Sequence, residues 1–380
     1  MRRELERIEI PGEHDARDRS LRLAKTAFVE RQPAPRANRR KLIPAIAIVA
    51  AGAIAAAAIS SPGNALLNSI RQSVGVRNAQ PALFGVATPG TLLVHSDSGA
   101  WVVQSDGAKR RLGAYTSASW SPHGLYIAAT HRNELLALTP KGEDRWSLAR
   151  PAVRFPRWAG TAADTRIAYL TRSRLHVVRG DGTKDLDECG EPAAARIAPA
   201  WRPGSGFVLA FATTRGRVKV LNADACSLRW ASPPGPVPTR LMWSSDGTRL
   251  LALEPHSVRV FDAHGKAIER DDPPDGTRDT DATFLPGTTN LAVVRAHGAQ
   301  SDVLLLGSGR SLFHVAGQLG QIVASPDGRW LLVAWPDADQ WIFVPVSASG
   351  HGGRVRAIAN VSAQFRSQTF PRIEGWCCAR

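Results

Sequence analysis

The sequence predicts an all-β fold made of repeated four-stranded units, on three observations. A tight turn between apolar runs occurs at Trp120-Ser121-Pro122-His123-Gly124, at Trp243-Ser244-Ser245-Asp246-Gly247 and at Ala324-Ser325-Pro326-Asp327-Gly328, with a weaker version at Trp201-Arg202-Pro203-Gly204. The residues before these turns, with their counterparts in two further units, are Trp120, Trp158, Trp201, Trp243, Phe284 and Ala324, at steps of 38, 43, 42, 41 and 40. The apolar runs are short and bounded by Gly, Pro, Asp and Ser, and they lack helix-period stripes. A strand-built unit of about 40 residues is the blade of a β-propeller.

In chain order, residues 1–41 are a basic cytoplasmic tail. Its charged stretch from about His14 to Arg31 predicts a helix on which Leu21, Ala24 and Phe28 fall at i, i+3 and i+7. That narrow apolar stripe reads either as a partner-binding face or as the side of a surface helix at the membrane boundary. A Pro/Arg-rich connector, RQPAPRANRR, follows.

Residues 42–59, LIPAIAIVAAGAIAAAAI, are the one long uncharged apolar stretch. As a helix they span about 27 Å, close to the hydrocarbon thickness of a bilayer, so they predict a transmembrane helix. Pro44 falls in the first turn, where proline is tolerated. Small residues near Ser60 and Ser61 offer a cleaved signal peptide as the alternative, but the segment ahead of the apolar run is too long for an ordinary leader. Arg36, Arg39, Arg40 and Lys41 precede the run closely, whereas Arg71 and Arg77 lie well beyond it, which orients the N-terminus to the cytoplasm. Residues 60–83 then read as a linker and 84–380 as an extracytoplasmic propeller.

Within each unit the anchor ends a first strand, and three more strands follow. After Trp120 come LYIAAT, ELLALT, a Pro140-Lys141-Gly142 turn and DRWSL. The Trp158 unit has a degenerate first turn but keeps RIAYL, LHVV and Gly180-Asp181-Gly182; the units of Trp201, Trp243, Phe284 and Ala324 carry GFVLAFA, RLLAL, NLAVV and RWLLVAW. Residues 91–112 form a unit without its first strand, and ANVSAQF, residues 359–365, reads as a first strand without its unit. Joining the two closes a ring of seven blades, because an unpaired sheet edge is thereby removed. Six blades is the alternative, with 91–112 only buttressing the ring.

The Trp-Ser-Pro-Asp/His-Gly turn followed by an apolar strand resembles the TolB-like and WD-repeat-like bacterial β-propellers, over residues 84 to about 370. The resemblance implies a membrane-tethered extracytoplasmic propeller that binds partners, and it carries over no catalytic residue. Segments such as VLNADACSLRW are similar to repeats of pyrroloquinoline-quinone propellers, but the cofactor contacts of that family find no match, and no cofactor is expected.

Chemistry is sparse elsewhere. The ten His show no metal-ligand spacing, no CxxC is present, and there is no G-x-S-x-G elbow, P-loop or dinucleotide fingerprint, so neither a metal site nor an enzyme is expected. The formal charge of +15 is spread over scattered arginines with no nucleic-acid-binding motif, and no nucleic-acid partner is expected. Cys189 and Cys226 fall in neighbouring units and are placed for a disulfide in an oxidising compartment, while the adjacent Cys377 and Cys378 are given no role. Arg154, Arg196 and Arg240 precede three consecutive anchors and are expected at the mouth of the channel, where they suit an anionic ligand. The functional expectation is a protein-binding or ligand-binding scaffold at the cell envelope. The alternative is a transmembrane sensor whose Leu21, Ala24, Phe28 stripe holds a cytoplasmic regulator, as membrane-tethered anti-sigma factors do.

Overall fold

A computed structural model describes residues 79–80, 89–186, 189, 191–204, 206–346 and 354–378. They form a seven-bladed propeller of antiparallel sheets. Blade 1 orders Arg372–Cys377, Thr91–Ser96, Gly99–Val103 and Lys109–Gly113 from the centre outward. Blade 2 is Ser117–Trp120, Ile127–His131, Glu134–Leu138 and Asp144–Ala149; blade 3 is Val153–Gly160, Thr165–Thr171 and Arg174–Arg179. Blade 4 is Ala200–Trp201, Val208–Ala212, Val218–Asn222 and Ser227–Ala231; blade 5 is Arg240–Trp243, Arg249–Leu253, Val258–Asp262 and Ala267–Asp271. Blade 6 is Thr277–Phe284, Leu291–His297, Gln300–Leu305 and Arg310–Ala316. Blade 7 is Ile322–Ala324, Trp330–Trp335, Gln340–Pro345 and Arg356–Ala359, and Ala79–Gln80 adds a fifth, parallel strand at its outer edge. Each first strand lies against the first strand of the next blade, and that of blade 7 lies against that of blade 1.

The ring closes through the C-terminus, but by another strand than the sequence suggests. Residues 359–365 do not pair with 91–95. The closing strand is Arg372–Cys377, in register Thr91 with Cys377, Leu92 with Trp376 and His95 with Arg372. The alternating pattern of ANVSAQF is overridden at Asn360, whose φ of 55° ends the strand. Val361–Gln364 then forms one helical turn, its Ser362 N–H and Oγ donating to Asp339 Oδ1 at 2.8 and 2.7 Å. The turn buries Val361 and Phe365 between blades 7 and 1, where Phe365 meets the rings of Trp101 and Trp341. A second clamp is Asp97, in the tip of blade 1, which accepts from Gln368 N, Thr369 N and Thr369 Oγ1 at 2.8, 2.9 and 2.7 Å. These bonds, that of the Thr369 hydroxyl first, hold its carboxyl at about 2.

The recurrent turns explain the regularity. Ser121, Ser244 and Ser325 occupy the same place: each backbone N–H donates across the turn, to Tyr126, Arg249 and Trp330 O, and each Oγ accepts the returning N–H of that same residue at 2.9 or 3.0 Å. Gly124, Gly247 and Gly328 close these bends with φ of 66°, 67° and 69°, a conformation in which a Cβ would be strained. The second and third strands are apolar on both faces because both are covered by neighbouring blades, and the run Leu331–Trp335 is buried throughout. Each such Leu or Val contributes roughly 1.5–3 kcal/mol.

Blade-to-blade contacts repeat as well. Trp201 Nε1 donates to Arg157 O and Trp243 Nε1 to Ala200 O, at 2.7 and 3.2 Å, so these anchors reach back to the preceding first strand. At the rim, Trp146 and Trp230 on outer strands donate forward to Gly180 O and Ala263 O of the next blade at 2.9 and 3.1 Å. Among the described residues blade 3 has three strands and a bridge between Val177 and Leu186. There Asp185 turns inward to Arg150 and to Tyr169 Oη, and the sulfurs of Cys189 and Cys226 are bonded, joining blade 3 to the outer turn of blade 4.

The predicted tail helix with Leu21, Ala24 and Phe28, and the apolar run 42–59, lie outside the described residues. Among the described residues no helix is long and apolar enough to cross a membrane.

Candidate functional site

On blades 2, 5, 6 and 7 the channel wall is built by the residue three positions before the anchor, whereas blades 3 and 4 carry Phe155 and Ala198 there. On blade 2 this is Ser117, whose Oγ accepts the N–H of Phe155 on blade 3 at 3.2 Å. On blade 6 it is Asp281, whose Oδ2 accepts the N–H of Ile322 on blade 7 at 2.9 Å. On blade 7 it is Gln321, whose Oε1 accepts the N–H of Ile373 on blade 1 at 2.9 Å. The innermost strands have a free edge facing the channel, and these side chains satisfy backbone donors that no further strand can reach.

On blade 5 the equivalent residue is Arg240. Its Nη1 donates to both carboxylate oxygens of Asp281, at 2.7 and 2.9 Å, which neutralises it. Of the three arginines expected at the channel mouth, Arg240 is therefore committed to the wall. Arg154, near the start of the first strand of blade 3, and Arg196, in the connection entering blade 4, are exposed and carry no carboxylate partner among the described residues. The arrangement brings Arg157 into the wall instead; burial first, then Arg240 and Arg372, lower its pKa against the attraction of Glu374. It remains a cation in any accessible pH range.

The concavities among the described residues include three on the faces of the ring. Between blades 2 and 3, on the face of the Ser-Pro-Gly turns, a cavity of about 340 Å³ is lined by Trp146, Trp158, Tyr126, Arg145 and Asp181, with the Tyr126 and Trp158 rings stacked at 5.9 Å. On the same face a cavity of about 670 Å³ at the closure seam includes Trp120, Arg110 and Lys141, together with Cys377 and Cys378, whose sulfurs are bonded to each other. On the opposite face a groove of about 680 Å³ is lined by Arg150, Arg172, Arg174, His176, Pro151 and Pro192. Among the described residues no group of three or more His, Cys, Asp or Glu is arranged to hold a metal ion.

A buried acidic pair lies at the junction of blades 5 and 6. Arg295 Nε donates to Asp279 Oδ1 at 2.8 Å, and its Nη2 meets Asp271. One guanidinium thus serves two carboxylates. Asp279 has no side-chain exposure, and burial, with the like charge of Asp271, outweighs Arg295 and pushes its carboxyl up to about 6. The folded chain therefore holds a proton that the unfolded chain releases at about pH 4, and this site's contribution to stability falls as pH rises from about 4 to 6. Acidification from neutral pH to 5 is expected to raise the melting temperature of the native chain relative to that of Asp279→Asn. Equal responses of the two chains would show that Asp279 does not titrate in this window.

No protein-family model matches the sequence, and no curated protein sequence matches it. Solved structures do. The β-propeller domain of Myceliophteria thermophila Cps50 (Swd1) is 14% identical, with a TM-score of 0.54 over 70% of this chain and 99% of that domain. A chain of the mitotic checkpoint complex is 14% identical, with a TM-score of 0.51 over 75% of this chain and 87% of that one. At such identities the likeness is one of fold: a seven-bladed, WD40-like propeller.

Proposed function

We propose that this chain is a non-catalytic binding scaffold, tethered to the membrane by residues 42–59 and presenting its propeller outside the cytoplasm to a protein partner or an anionic envelope ligand. WD40-like propellers generally serve as protein-binding scaffolds, and one of the similar structures is a component of a protein complex. The observation that carries the reading is the construction of the channel wall. Its polar side chains, Ser117, Asp281, Gln321 and Arg240, are spent on one another and on backbone groups, which leaves the ring rigid and its two faces as the surfaces offered to partners. All four cysteines are in disulfides, which supports an oxidising compartment. The flanking charges Arg36, Arg39, Arg40 and Lys41 support the orientation.

Cross-linking in cells followed by capture tests this, using the full chain and a chain lacking residues 1–35. A set of envelope partners common to both is expected. Loss of a cytoplasmic regulator from the truncated chain alone would favour a sensor built on the Leu21, Ala24, Phe28 stripe. Absence of any specific partner would remove the scaffold reading.

A further inference from the structure

We infer that the face opposite the Ser-Pro-Gly turns carries a binding site for an acidic, extended peptide, running across blades 2, 3 and 4. The inference rests on the reading of the ring as a scaffold and specifies which surface binds and what chemistry it selects.

The site follows from how three tips are tied together. Arg150 N donates to Asn133 O at 2.7 Å and Ala152 N to Asn133 Oδ1 at 3.0 Å, which holds the connection leaving blade 2 against that blade's own tip. Ala193 N donates to Ser173 O at 2.8 Å, so the segment leading to blade 4 is fixed to the tip of blade 3. Thr214 N donates to Pro192 O at 3.3 Å and fixes the tip of blade 4 to the same segment. The loops so tied carry six exposed arginines, Arg132, Arg154, Arg172, Arg174, Arg196 and Arg215, against two exposed carboxylates, Glu134 and the Lys219-paired Glu191. Among the described residues, Arg132, Arg154, Arg172, Arg196 and Arg215 have no ion pair. The groove of about 680 Å³ runs through this surface, with Arg172 and Arg174 in its lining.

The remaining blades differ. On the corresponding loops of blades 5 to 7 the exposed charges are Asp272, Asp275 and Asp337 with Arg278 and Arg366. The face is therefore more basic over blades 2 to 4 than over blades 5 to 7, which steers a carboxylate-rich segment to the former. Guanidinium groups favour planar, bidentate carboxylate recognition, and the two prolines of the groove, Pro151 and Pro192, offer flat apolar surface between the charges. Arg150, which lines the groove, is itself paired with Asp185, so the charge offered to a ligand there comes from the other arginines.

Fluorescence anisotropy of the purified full chain with a labelled short peptide of alternating Glu and Gly tests the inference. Binding is expected to weaken as salt rises. The exposed-residue variant Arg154→Gln/Arg172→Gln/Arg196→Gln/Arg215→Gln is expected to lose about tenfold in affinity. A charge-matched variant on the other surfaces, Arg110→Gln/Lys141→Gln/Arg145→Gln/Arg229→Gln, is expected to stay within about twofold of the parent. Equal loss in both variants, no binding by the parent, or tighter binding of a single-stranded oligonucleotide through the same four arginines would each overturn the inference. Partners captured in cells by a chain that fails these tests would leave the scaffold reading standing without this site.

Discussion

A chain ending at Phe370 is expected not to fold. Without Arg372–Cys377, blade 1 loses its innermost strand, and Leu92 and Val94 lose the cover of Trp376 and Ile373. Truncation of a buried Trp alone costs about 3–5 kcal/mol, and removal of a buried Ile about 2–5 kcal/mol. Together with the lost backbone pairing this reaches the whole stability of an ordinary domain, roughly 5–15 kcal/mol. Loss of the cooperative unfolding transition in circular dichroism, with most of the chain insoluble, is the expected result. A truncated chain that melts as the parent does would show that the seam contributes little and that six blades suffice.

The second large effect is expected at Asp281→Ala. This carboxylate accepts from Arg240 and from Ile322 N–H, and its removal leaves a cation in the wall and a backbone donor without a partner. Breaking a buried pair costs about 3–5 kcal/mol, and the lower end applies here because Arg240 keeps 28% of its side chain exposed. Equilibrium urea unfolding should show the loss, and Arg240→Met added to Asp281→Ala should recover part of it by removing the uncompensated charge. If the double variant is as unstable as the single one, the charge on Arg240 is not what makes the loss severe.

Much of this architecture can be read from turn chemistry. Ser121, Ser244 and Ser325 announce themselves because a hydroxyl that caps a hairpin and a glycine that closes it must stand at fixed offsets. Their spacing sets the blade length and six anchored units, and the seventh blade comes only from the closure. Closure was legible only in kind, since ANVSAQF has strand composition and yields to helix where Asn360 turns left-handed and Asp339, from the tip of blade 7, captures Ser362. The wall residues Ser117, Asp281 and Gln321 were also within reach: each is polar three positions before its anchor. Their bonds to the next blade depend on ring geometry that one strand does not encode. Arg240 illustrates the limit, because its position before Trp243 suggests a free cation and only the neighbouring blade supplies Asp281. Arg172 and Arg215 stand in tips whose adjacency arises through Pro192 and Ser173, contacts with no signature in the chain.

The pairing of Thr91–Ser96 with Arg372–Cys377 also sets a schedule for biosynthesis. The first strands of blade 1 to leave the ribosome wait for a partner about 280 residues later in the chain. At about 5–20 residues per second this delay is on the order of tens of seconds. During it the inner edge of Thr91–Ser96 presents unpaired backbone groups beside Leu92, Leu93 and Val94, a surface on which a second nascent chain could pair. Arg372–Cys377 thus decides whether Thr91–Ser96 is sealed into the ring or left as an open edge.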